Sequence, residues 1–436
     1  MEIRKKFSRY VSQNILGMLG ISCYVVADTF FISKYAGADG ITVLNLVLPI
    51  FSVIFAFGSM MGVGSAIRFK ILRAKKDKRA DDYFSNSIMC ACILSVLFIL
   101  VGLFAPDKLL HIMGADDKIT ALGIGYTRTF LMFTPFFMCN YIVSAFVRND
   151  NAPSRAMLAT LSGSLFNIVF DYIFMFPMKL GLLGAAMATA ASPVCSILVC
   201  LTHFAGKHNT VVFKWHMPSL KMLWDSCMLG TAAFVGEMAS AVTTTVFNML
   251  MLSLTGNIGV AAYGVVANYA YIGTAIFNGV SQGAQPLISE AYGKGDKRSA
   301  AQVYKYSIIT SVSLFAIIYA VVAGFTGQLV SLFNSEGVVE LAGYAHTGMR
   351  IYFTGFLFAG FNIISAGYFG AVEMAKESFV VSILRGFVLM VGISVMLSYI
   401  CGMNGVWSSF LVSEGITACV CIVFLVHNNK RKAAKI

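Results

Sequence analysis

Long apolar stretches recur along the chain, and short polar or basic segments separate them. A helix needs about 20 predominantly apolar residues to cross the hydrocarbon of a bilayer. Twelve stretches meet that length: roughly 11–33, 41–67, 84–105, 119–147, 154–177, 181–204, 222–254, 259–288, 301–325, 339–370, 377–400 and 404–427. The longest connection holds Lys207, His208, Lys214, Trp215 and Pro218 and divides the twelve into two sets of six. The pattern predicts an all-α polytopic membrane protein. Its N-terminal six-helix lobe covers 1–204, a cytoplasmic inter-lobe linker covers 205–221, and a C-terminal six-helix lobe with a basic cytoplasmic tail covers 222–436. The start, MEIRKKFSRY, is basic, but the apolar run after it is long and lacks a small-residue cleavage site, so it reads as span 1 rather than a cleaved signal.

The two halves repeat. Asp77-Lys78-Arg79 recurs as Asp296-Lys297-Arg298, an offset of 219. At the same offset Gly37 matches Gly256 and Gly64 matches Gly283, and Gly184 matches Gly405 at 221. Six spans return the chain to its starting side, so both halves insert in one direction. The internal repeat is therefore parallel, with its axis along the membrane normal, as in one class of secondary transporters.

Composition agrees with the span pattern. The chain is 58% hydrophobic and only 12% charged, where a soluble domain carries about 25% charged residues. The net charge of +12 invites a nucleic-acid reading, but the basic residues lie in short loops and form no face interleaved with aromatics. Of the 32 Lys and Arg, only Lys34, Lys108, Lys118, Arg128, Lys179 and Arg350 fall on the side opposite the N-terminus. That skew puts both termini in the cytoplasm. Cysteines such as Cys139, Cys195 and Cys421 sit inside apolar runs without a C-x-x-C spacing and read as small buried apolar residues.

Ionisable residues at membrane depth are costly and usually face an interior or a watery cavity. Asp28 comes late in span 1 and Asp171 late in span 5, both outward-running, and Asn167 shares a helix face with Asp171 one turn earlier. Tyr126 and Thr189 come early in the inward-running spans 4 and 6. All five fall in the outer half of the first lobe, as a cation or proton site, with Na⁺ at Asp28, Asn167 and Asp171 as one form of it. The competing reading makes Asp28 and Asp171 ordinary boundary charges. In the second lobe Glu237 is mid-span in span 7 and Glu414 is in the outer half of span 12. They form a second polar site or are held by structural hydrogen bonds. Arg385 reads as a snorkelling anchor, and Gln282 and Gln285 as packing or gating residues. Pro49, Pro135, Pro193 and Pro286 interrupt spans and permit bends. No H-E-x-x-H, intramembrane His pair or G-x-S-x-G argues for an enzyme.

With these residues placed, the chain resembles the multidrug and toxic compound extrusion (MATE) family. The carrying pieces are VADTFFISKYAG with the later Pro49, NIVFDYIF followed by GLLGAAMAT, and VAAYGVVANY through GVSQGAQPLISEAYGKGDKR. The resemblance implies a secondary active multidrug exporter of the plasma membrane that antiports cationic or amphipathic drug-like compounds against H⁺ or Na⁺ and needs no cofactor. The expected working unit is a monomer in the bilayer. Its first-lobe site looks like Asp28, Asn167, Asp171 and Thr189, with Tyr126 adjacent, closest to the DinF-like branch. Another bacterial branch pairs an acid on span 7 with one on span 10. Glu237 resembles the first, but span 10 has no acid after Arg350. The alternative within the superfamily is a flippase for a lipid-linked precursor, for which few intramembrane Arg or Lys are present.

Overall fold

A computed structural model describes residues 2–334 and 338–433. The last three residues of the basic tail, and the side chains of Lys430, Arg431 and Lys432, lie outside the described residues. Among the described residues every regular element is helical. Spans 1 and 2 are Glu2–Gly37 and Asp39–Ala74, followed by span 3 at Ala80–Phe104. Span 4 is two helices, Asp117–Met132 and Thr134–Asn149, bent by 45° where Pro135 opens the second. Spans 5 and 6 are Pro153–Met175 and Gly181–Phe204. Spans 7 and 8 form the run Leu220–Gly293, which reverses at Gly256. Span 9 is Lys297–Ser331, and span 10 is Val339–Thr354 plus Phe356–Ala371, bent by 44°. Spans 11 and 12 begin at Ala375 and end at Ala433, reversing at Gly402. The short helix Pro106–Ile112 is an addition that the hydropathy pattern does not announce.

The duplication is visible in the backbone. Gly37 has φ 57° and ψ −140°, and Gly256 has φ 65° and ψ −153°. Side chains are excluded from that region, so glycine is what permits an apolar run to double back without a loop. Gly181 and Gly402 form a further pair at offset 221, both with φ 57°. The bends of spans 4 and 10 are a third matched feature, equal within a degree. The lobes each bury their own core. One is built around Phe51, Tyr126, Phe130 and Phe146, and the other around Phe247, Tyr352, Phe356 and Trp407. The connection 205–219 is strapped to the first lobe rather than free. Thr210 N donates to Asp150 Oδ2 at 2.8 Å, Lys214 N to Ser85 Oγ at 2.8 Å, and Ser219 N to Asn86 Oδ1 at 2.6 Å.

The lobes meet at the end that carries the chain termini. A Cβ at Gly64 of span 2 would lie 1.8 Å from the Ser226 carbonyl of span 7, and one at Gly230 of span 7 would lie 2.0 Å from the Met60 carbonyl. The repeat makes the same contact again, with Gly279 and Gly283 of span 8 against the backbone of Ile15 and Val11 in span 1. Small residues at such positions let helix backbones touch. Polar bonds join the lobes at the same end: Lys70 to Glu290 at 3.0 Å, Ser65 to Ser226 at 2.9 Å, and Arg68 to Glu373. Further along, a Cβ at Gly236, Gly256 or Gly264 would meet nothing within 4 Å. Residues of both lobes, among them Val63 and Arg148 of the first and Gly236 and Asn278 of the second, line the cleft between them.

Candidate ion-coupling site and inter-lobe cleft

The late position of Asp28 in span 1 and of Asp171 in span 5 brings both to one level inside the first lobe. Asp171 and Asn167 are fully buried, and Asp28 and Thr189 are each 8% exposed. Asn167 Nδ2 donates to Thr189 Oγ1 at 3.1 Å, which ties span 5 to span 6 and leaves the Asn167 carbonyl oxygen free. The carboxyls of Asp28 and Asp171 face each other within interaction range. Tyr126 packs on Phe51 with ring centroids 5.9 Å apart, within electrostatic range of both acids. The structure thus brings together all five residues read from the sequence.

What the cluster lacks is informative. Asp28 Oδ1, both Asp171 oxygens, Asn167 Oδ1 and the Tyr126 hydroxyl are buried without a well-formed hydrogen bond. Buried polar atoms are nearly always satisfied, and each orphan costs about 1–3 kcal/mol. Five orphaned oxygens around two carboxyls fit a proton or a hard cation, which takes oxygen ligands. Two buried carboxylates this close cannot both stay charged with nothing between them.

The chain matches the MatE family over residues 14–173 and 233–400. It belongs to that family. The MatE relatives include the multidrug export protein MepA of Staphylococcus saprophyticus, 27% identical over 419 residues, with 95% of this chain and 92% of the relative covered. MepA of Staphylococcus aureus is 27% identical over 421 residues at the same coverage. Among solved structures, an outward-facing MATE transporter of the MOP superfamily superposes with a TM-score of 0.91 at 24% identity, covering 99% of this chain and 97% of that one. A MOP superfamily transporter from Pyrococcus furiosus gives 0.89 at 24%, covering 100% and 97%. These superpositions establish the twelve-helix, two-lobe MatE fold.

In the second lobe of this MatE protein the two acids have separate lives. Glu414 is buried and fully engaged: Arg385 Nη2 donates to Oε1 at 2.8 Å and Asn362 Nδ2 to Oε2 at 2.7 Å. It does not pair with Glu237. Arg385 is correspondingly no snorkelling anchor. The π turn Leu384–Val388 adds a residue to the helical turn and re-aims the side chain inward, where it meets Glu414. Glu237 is half-buried, with Tyr24 and Tyr141 of the first lobe and Tyr271 of the second within electrostatic range. An acid among aromatic rings suits an organic cation.

Gln282 and Gln285 bridge the lobes. Arg148 Nη1 donates to Gln282 Oε1 at 2.7 Å, and Asn149 and Gln285 exchange amide bonds at 3.1 and 3.2 Å. Two residues of weight do not stand out in the sequence pattern. Arg148 closes an apolar run and looks like a loop charge, yet it is buried. Tyr24 sits one turn before Asp28 and lies within electrostatic range of Asp28, Asp171 and Glu237 alike. Its i, i+4 spacing from an intramembrane acid is the one signal the sequence offers.

Proposed function

We propose that this MatE protein is a secondary active exporter that binds cationic or amphipathic drug-like molecules in the inter-lobe cleft and exchanges them for H⁺ or Na⁺. The observation that carries this reading is the set of orphaned oxygens around Asp28 and Asp171, one helical turn from a tyrosine within electrostatic range of Glu237 and Tyr271 in the other lobe. The names of the MepA relatives support the export half. Filling the site with a proton or Na⁺ removes the repulsion between spans 1 and 5 and draws them together. Tyr24 moves with span 1 and carries that shift to the region of Glu237. The two lobes then open alternately to either side. Exchange fails if ion and drug ride together, so each must disfavour the other, and the coupling is reciprocal at about 1–3 kcal/mol.

Binding of a fluorescent organic cation to purified protein should weaken by about 5- to 150-fold at low pH or at high Na⁺. Whichever ion produces the effect is the coupling ion, and a matching gradient should drive uptake into everted vesicles. Affinity that ignores both ions would end the antiport reading.

We further propose that the protein lies in the cytoplasmic membrane with both termini in the cytoplasm, on the strength of the Lys and Arg skew. A cysteine introduced at Lys78, in a background without reactive native cysteines, should label only from the cytoplasmic face. One at Asp116 should label only from outside. The reverse pattern would invert the topology.

A further inference from the structure

Arg148 is a buried cation with no counter-charge among the described residues. It is 8% exposed, its Nη1 donates to Asn14 Oδ1 at 2.5 Å and Gln282 Oε1 at 2.7 Å, and its Nε is buried without a partner. Among the described residues no acid forms an ion pair with it. Asp150, two residues on, is committed to His203 at 2.8 Å and to Thr210. A buried guanidinium held only by neutral amides has lost its hydration without gaining an anion, and that is expensive. Arg385 in the second lobe shows the usual remedy, since Glu414 meets its charge.

Arg148 lines a pocket at the floor of the inter-lobe cleft, together with Asn278, Ser281, Gln282, Gln285 and Arg385. The remaining lining is apolar apart from Ser382, and no Asp or Glu contributes. The volume is about 80 Å³, ample for an oxyanion head. The lining presents amide and hydroxyl donors beside an uncompensated guanidinium, whose planar fork matches a carboxylate or phosphate.

We propose that this pocket is an oxyanion subsite: Arg148 receives the carboxylate or phosphate of an amphiphilic substrate whose body lies in the cleft above. The substrate range then includes zwitterions, with the cationic group near Glu237 and the anionic group at Arg148. The inference rests on the export reading for the cleft but not on which ion drives it. An arriving anion competes with Gln282 and Asn14 for the guanidinium, so it also loosens the bonds that join span 4 to spans 8 and 1.

A matched pair of dyes tests the subsite: a rhodamine ethyl ester, which is a cation, and its free acid, which is a zwitterion. Fluorescence polarisation with purified full-length protein gives the ratio of their affinities. In Arg148→Gln that ratio should move against the free acid by about ten- to a hundredfold, the worth of a charge-assisted bond. Gln282→Glu guards against misfolding, because it supplies Arg148 with an internal carboxylate. That variant should be at least as heat-resistant as the wild type and should lose the same preference. Inorganic phosphate, as a free oxyanion, should compete with the acid and not with the ester. An unchanged ratio in both variants would overturn the subsite and leave the export reading standing. Binding of the acid alone, through Arg148, would uphold the subsite and overturn the preference for cations. Binding of neither dye would overturn both.

Discussion

Asp171→Asn should abolish gradient-driven export while the protein inserts, folds and keeps its thermal midpoint. Asp28→Asn should do the same. Neither Asp171 oxygen makes a well-formed hydrogen bond to the protein, so the substitution breaks nothing that holds the lobe together. The amide keeps the shape of the carboxyl and can still bond to Asp28, but it neither exchanges a proton nor offers full charge to Na⁺. The conformational bias that the ion supplies, about 1–3 kcal/mol, disappears with it. Transport by everted vesicles should fall to the level of empty vesicles, and drug affinity should stop responding to pH and Na⁺. Full export by Asp171→Asn would move the coupling site elsewhere. A variant that loses export together with its thermal midpoint would make the residue structural.

Arg385→Leu should destabilise the second lobe by about 3–5 kcal/mol, because it leaves the buried Glu414 carboxylate without its charge partner. Asn362 remains as a donor but cannot replace the charge. The companion Arg385→Leu/Glu414→Leu variant should recover most of the loss, since replacing a whole buried pair by apolar residues is often close to neutral. With Glu414→Leu added, the thermal midpoints form a double-mutant cycle, and additivity in it would mean that the pair does not interact. Glu414→Gln separates stability from transport. The amide keeps one acceptor for Arg385, so it should lower the midpoint modestly and leave ion dependence intact. Loss of ion dependence in Glu414→Gln would draw the second lobe into coupling.

Much of this is legible in the chain because it is written in local pattern. Apolar length sets the spans, and the depth of Asp28, Asn167 and Asp171 follows from counting residues along them. Gly37 and Gly256 mark reversals because only glycine adopts that backbone. The hidden parts depend on contacts between distant residues. Arg385 and Glu414 are 29 positions apart on opposite legs of a hairpin, and the π turn that aims one at the other has no sequence signature. Arg148 ends an apolar run, where a charge normally meets water, and only the packing of spans 1, 4 and 8 buries it. The Gly181 and Gly402 pair is as regular as Gly37 and Gly256, but it lies among many glycines and stands out only by its backbone angles.

The glycine contacts at Gly64, Gly230, Gly279 and Gly283 bear on how well the membrane stays insulated. An antiporter with a flooded cleft is a short circuit unless the remaining barrier excludes water as well as drug. A barrier of swinging side chains leaks whenever one rotates, and a single file of water then conducts protons. Here main chain lies on main chain at four glycines, so opening the barrier there takes the separation of whole helices and not the turn of one side chain. A methyl group at Gly64 or Gly230 would force spans 2 and 7 apart and should admit water at the seam, which a rise in passive proton leak into protein-loaded vesicles would report.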